Sequence, residues 1–192
     1  MILEKSALVE RLGEVCFGLK EYKMIMANVN QVTVSTDKDF QRTFNHFYKV
    51  RRNETWRLTF YKLFEECKNK PELSFNKIIT DLYQSTGNVE ASFSSKMLAT
   101  INPNMPIWDA NIMKYFDYKL TGNNNEERVH NAIRIYDALI KEYAELLAMN
   151  DAKECISIFD SIMPSYRWLS SIKKIDYLIL LMGRDETQQW EE

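Results

Sequence analysis

The stretch Val89–Tyr118, VEASFSSKMLATINPNMPIWDANIMKYFDY, decides the fold. Its pattern predicts a short helix from Glu90 to about Ile101, then a tight connection, Asn102–Ile107, held by Pro103 and Pro106. A second helix is expected to start at or just after Asp109. Polar Ser92, Ser94, Ser95 and Lys96 mix with apolar residues on the first helix, and Trp108 and Asp109 open the second. An aspartate at a helix start satisfies free backbone N–H groups and faces the positive end of the helix dipole. Asp109 therefore reads as a fixed carboxylate.

Working outward, helical spacing of apolar residues recurs on both sides. Residues 6–27 carry Leu8, Val9, Leu12, Val15, Cys16, Leu19, Tyr22 and Met26 as one stripe,. An irregular connection follows, in which Val32 and Val34 allow a short extended piece. Thr36 with Asp39 resembles a capping box for a helix that bears Phe40, Phe44, Phe47 and Tyr48 and ends near Arg52. Asn53 and Ser74 are the expected caps of the next two helices, and Pro71 separates them. After the loop TGNNN (121–125) come a long helix to about Met149, a helix Ala152–Met163 stopped by Pro164, and a last helix from about Leu169 to Met182. Gly183 is its expected C-cap. The sum is an all-α fold of about nine helices without a dividing linker. It reads as one domain over 1–192, with lobes at about 1–30 plus 121–192 and at 31–120, and a polar tail at 184–192.

Composition agrees. Apolar residues make up 45% of the 192, with only 5 Gly and 4 Pro, which suits a helical core and argues against disorder. No apolar run nears the ~18 residues of a membrane span. The charged N-terminus, MILEKSALVERLGEV, does not read as a signal peptide. Cys16, Cys67 and Cys155 are far apart and odd in number, so they read as buried reduced thiols of a cytoplasmic protein. Net charge is −2, yet Lys38–Lys77 holds ten basic residues against five acidic ones. That contrast implies a locally basic surface.

Familiar enzyme signatures are missing: no P-loop, GxGxxG, HExxH or GxSxG. With only His46 and His130, a His-rich metal site is excluded. His46, among aromatics, reads as a core or half-buried residue and His130 as plain surface. The second informative stretch is FNHFYKVRRNETW (44–56). There Arg51, Arg52 and Arg57 sit beside Tyr48 and Trp56, a combination that suits phosphate binding with base stacking. The plainer reading packs the aromatics inside and lays the arginines over them.

The segment SFSSKMLATINPNMPIWDANIMKYF (92–116) resembles the helix-hairpin-helix DNA glycosylase superfamily, and FYKVRRNETW and KKIDYLILLMGR look like parts of a family with the same core. The resemblance implies that Ser94–Ile101 is the second hairpin helix and Asp109 the essential aspartate beyond a Pro-containing connection. It further implies DNA as partner, a flipped base held between two lobes near Tyr48 and Trp108, and no cofactor. Arg51, Arg52, Trp56, Gly87 and Lys96 would then meet the nucleic acid. The chain departs from the family in two places. Only Gly87 stands where two hairpin glycines are usual. The catalytic lysine of the bifunctional branch falls near Ala91, so Lys96 reads as a solvated or salt-bridged lysine. A base-removing enzyme of the monofunctional kind is expected, the alternative being a non-catalytic nucleic-acid or protein interaction domain on the same scaffold.

Overall fold

The computed structural model describes Leu12 and residues 18–70 and 72–183. Among these residues there are nine α-helices and no strand. They are α1 (Leu19–Asn28), α2 (Lys38–Phe47), α3 (Glu54–Lys68), α4 (Phe75–Thr86), α5 (Ala91–Ile101), α6 (Ala110–Tyr115), α7 (Asn125–Ala148), α8 (Asn150–Ile162) and α9 (Ser171–Met182), with a 3-10 turn at Pro164–Tyr166. No described helix is long and apolar enough to cross a membrane.

Most helix starts follow from short polar side chains. Asn53 accepts from Trp56 N–H at 2.9 Å, Ser74 from Lys77 N–H at 3.2 Å and Ser170 from Lys173 N–H at 3.1 Å. At α2 the cap is Asp37, which accepts from Phe40 N–H at 2.7 Å. The expected cap, Thr36, bonds back to Thr33 O instead. Of the helix expected over 6–27, the described residues show Leu12 as helical and then α1 from Leu19, set off by Gly18 at φ 74,. The stripe upstream of it, Cys16 included, lies outside the described residues apart from buried Leu12. α2 stops at Phe47 rather than near Arg52, since Lys49 turns left-handed at φ 52. Arg51 and Arg52 thus lie on an extended connection. His46, expected to be half-buried, has a side chain 76% exposed, because α2 turns Phe44 inward and leaves this position outside. Cys67 and Cys155 are both buried, as expected.

The core is one contiguous cluster running from Leu12 to Leu181. Its aromatic part joins α2 to α3. Phe44 is ringed by Phe40, Tyr48, Phe60, Tyr61 and Phe64 at centroid distances of 4.7–6.0 Å. Large rings bury the most apolar area per residue, so this packing is a main source of stability. α4 packs on α3, α5 and α7, and α9 packs on α6, α7 and α8. α5 is the covered centre of the molecule: eight of its eleven residues are buried.

Candidate functional site

α5 and α9 are buried helices that carry charge. Most buried polar residues of the described chain sit on or next to them: Glu90, Ser94, Ser95, Lys96 and Thr100 at α5, and Lys173, Lys174 and Asp176 on α9. A core needs none of these, and burying an ion costs several kcal/mol unless partners compensate (about that order for each ion). The place where α5, α9 and the start of α6 meet is therefore the candidate site.

The connection before α6 is fixed at three points. Ser95 Oγ accepts Trp108 N–H at 2.7 Å. Tyr136 on α7 donates to Pro106 O at 2.7 Å, and Ser170 donates to Pro103 O at 2.5 Å. This clamp delivers Asp109 to its post as N-cap of α6, where Oδ1 accepts Asn111 N–H at 3.0 Å. Among the described residues no hydrogen bond takes its second oxygen. Asp109 is half-buried, and α6 begins one residue later, as the sequence led us to expect.

Lys96 departs from its expected role. It is 8% exposed, and among the described residues its ammonium forms no hydrogen bond or ion pair, so it is largely covered and not salt-bridged. The reason is its place on the covered face of α5. Its Nζ lies 5.6 Å from the ring centres of both Tyr48 and Phe93. Burial pulls its pKa below the usual lysine value; the Asp109 carboxylate opposes that pull, and Lys173 and Lys49 add to it.

On α9, Lys173 places its Nζ 4.6 Å from the Tyr22 ring and 6.0 Å from that of Tyr48. Its nearest acid is Asp176 Oδ2 at 3.8 Å. Asp176 is fully buried and accepts the Tyr143 hydroxyl at 2.5 Å. Burial pushes its carboxyl up to about 7; Lys173 and the Tyr143 bond oppose this, and Asp109 adds to it. Asp109 and Lys173 each act on both Lys96 and Asp176, so the four groups form one electrostatic unit. Two acids and two amines held this way can carry a charge that develops nearby, or move a proton among themselves.

Other expected site residues fall elsewhere. Tyr48 belongs to the unit, with its hydroxyl 3.5 Å from Thr100 Oγ1. Trp108 is half-buried and stacked on Phe75 at 6.4 Å. Trp56, expected as a stacking contact for bases, is in the core against Phe60 at 5.0 Å, because its side of α3 faces the aromatic cluster. Arg52 spends its guanidinium on buried Glu90 at 2.9 Å. Arg51 is exposed and, among the described residues, without a partner. Gly87 is exposed at the end of α4 with φ 70, and its carbonyl accepts Asn125 Nδ2 at 3.1 Å. Lys173, Asp176, Tyr143 and Tyr22 escaped the sequence reading. The available signal was KKID at the head of an otherwise apolar helix. Among the described residues no cluster of His, Cys, Asp or Glu is placed to hold a metal ion.

The chain matches no protein-family model, no curated protein and no solved structure.

Proposed function

We propose that this chain binds DNA and removes a damaged or modified base from it. The observation that carries the reading is Asp109: a carboxylate fixed at a helix start by one oxygen, with no hydrogen bond on the other among the described residues, within electrostatic reach of a buried lysine. Support for the scaffold comes from α4 and α5, which pack together across the short connection 87–90 with Gly87 left-handed. No side chain caps α5, which leaves backbone N–H groups free for a phosphate. An extruded base would enter between two helical lobes, about 1–30 with 121–192 and 31–120. When the glycosidic bond breaks, its electron pair leaves with the base and positive charge develops on the sugar ring. Asp109 stabilises that charge, and a water completes the hydrolysis at the same carbon.

The burial of Lys96 favours a second version of the chemistry. An amine held below its usual pKa attacks the sugar carbon in place of water as the glycosidic electron pair leaves with the base,. The ring C–O bond then opens, its oxygen takes up a proton as the nitrogen loses one, and the resulting imine is reduced by borohydride to a stable cross-link.

The test is a panel of duplexes, each with one lesion, assayed for alkali-labile abasic sites. The expected result is release from at least one lesion. Asp109→Asn should stay folded, since Asn caps about as well as Asp. It should bind DNA and release base over about a hundredfold more slowly, the usual loss for a charge-stabilising group. Undiminished release by the folded variant removes Asp109 from the mechanism. If wild type binds DNA and releases nothing, the scaffold serves as a non-catalytic binding module. That reading has its own support in Glu90, an acid buried at the very start of α5, where it opposes a phosphate.

A further inference from the structure

Four lysine side chains are largely covered in the described structure, and they divide into two kinds. Lys174 meets Asp160 at 2.7 Å and the Arg167 carbonyl at 3.1 Å. Lys68 meets Glu65 at 3.2 Å and the Val32 carbonyl at 2.7 Å. Each pairs its charge with a carboxylate and a carbonyl, as a buried ammonium with three donors requires. Lys96 and Lys173 do not. At 8% and 7% exposed they are as covered as the others. Yet Lys96 has no acceptor among the described residues, and Lys173 has only Asp176 at 3.8 Å, on its own helix.

Both ammonium groups lie within 6.0 Å of one ring centre, that of Tyr48, although they come from different helices. The other rings on them are Phe93, Tyr22 and Phe47. Ring faces compensate a cation by less than burying one costs. The nearby acids do not make up the difference. Asp109 commits an oxygen to α6, and Asp176 shares its charge with the Tyr143 hydroxyl. Two ammonium groups that converge on one ring suit a single oxyanion, whose three or four oxygens around one atom reach both at once.

We infer that Lys96 and Lys173 together form a binding site for one phosphate group at the junction of α5 and α9. Depth restricts its source. Side chains this covered do not reach phosphates along the outside of a duplex, so the ligand is either free phosphate or the phosphate of a single extruded or terminal nucleotide. The inference does not depend on base removal, since a chain that cleaves nothing can still bind phosphate here. It does compete with the second version of the chemistry, because a Lys96 ammonium that holds phosphate is not a neutral nucleophile.

The probes are inorganic phosphate, a deoxynucleoside monophosphate and the matching nucleoside, titrated into the full chain by calorimetry at constant ionic strength. Phosphate and the monophosphate should each bind saturably with one-to-one stoichiometry, and the nucleoside should not. A tighter monophosphate identifies the nucleotide as the source, and equal affinities identify the free anion; both agree with the site. Lys96→Met and Lys173→Met keep the length of the side chain and remove the charge; circular dichroism checks that each folds, and Lys173→Met is paired with Asp176→Asn so that no buried carboxylate is stranded,. Each should weaken phosphate binding at least tenfold and abolish the rise in melting temperature that phosphate produces, while Lys153→Ala, at an exposed lysine of α8, leaves both unchanged. No saturable phosphate binding by folded wild type, or equal binding by both Met variants, overturns the inference.

Discussion

Asp176 shows most clearly what one residue contributes here. It is fully buried, bonded to Tyr143 and drawn up to about 7 by burial. A carboxyl whose pKa is raised in the fold holds its proton more tightly folded than unfolded. Its contribution to stability is therefore complete in acid and declines as pH rises from about 4, the unfolded value, through about 7,. Each unit of displacement corresponds to about 1.4 kcal/mol. The groups that face it are Lys173 on its own helix, Tyr143 and Tyr136 on α7, Tyr22 on α1 and Asp109 at the start of α6. The tyrosines are themselves pushed upward by burial and stay neutral across this range. Asp176→Asn keeps an oxygen for the Tyr143 hydroxyl and cannot ionise. Thermal unfolding between about pH 5 and about pH 8 should show wild type losing stability with rising pH and the variant losing much less. Equal slopes would place the titration elsewhere.

Among the elements, α5 joins the most functions, and its start rests on an ion pair rather than a cap. Glu90 is 4% exposed and Arg52 45% exposed at 2.9 Å, and Glu90 Oε1 has no other partner. Arg52→Ala strands a buried carboxylate and should lower stability by about 1–3 kcal/mol, the usual range for an orphaned buried polar group. Adding Glu90→Gln should recover much of that loss, as chemical denaturation would show; no recovery would mean that Arg52 acts through packing on Trp56 and Phe93 instead. The start of α6 at Asp109 was legible because proline, aspartate and helix rules act locally, within four or five residues. The caps at Asn53 and Ser74 were legible for the same reason. The charge unit was not, because its members lie on α5, at the start of α6 and on α9, and only tertiary packing brings them together. Trp56 and Lys96 misled for a related reason. A side chain's local neighbours do not say which face of its helix the core will take, and α5 is covered on most of its faces.

At the scale of the molecule, charge decides how DNA would be met under the proposed function. Net charge is −2, so attraction depends on the basic stretch Lys38–Lys77, where ten basic residues face five acids. Part of that excess is already committed within the fold: Arg42 pairs with Asp39, Arg52 with Glu90, Lys68 with Glu65 and Lys77 with Asp81. The remainder supports contacts to only about 3–5 phosphates, and log K falls by about 0.9 per contact for each log unit of salt. Binding should therefore be weak at physiological salt and steeply salt-dependent. Arg51 is the clean probe of this surface, since it is exposed on the extended connection after α2 and has no partner among the described residues. Arg52 is a poor probe, because its loss also strands Glu90. Arg51→Ala should leave the melting temperature unchanged and reduce the slope of log K against log salt by about 0.9, one phosphate contact. Fluorescence anisotropy of a labelled duplex across a salt series measures both slopes. A variant slope equal to that of wild type would take Arg51 off the DNA, and binding indifferent to salt would move the whole interface away from this basic stretch.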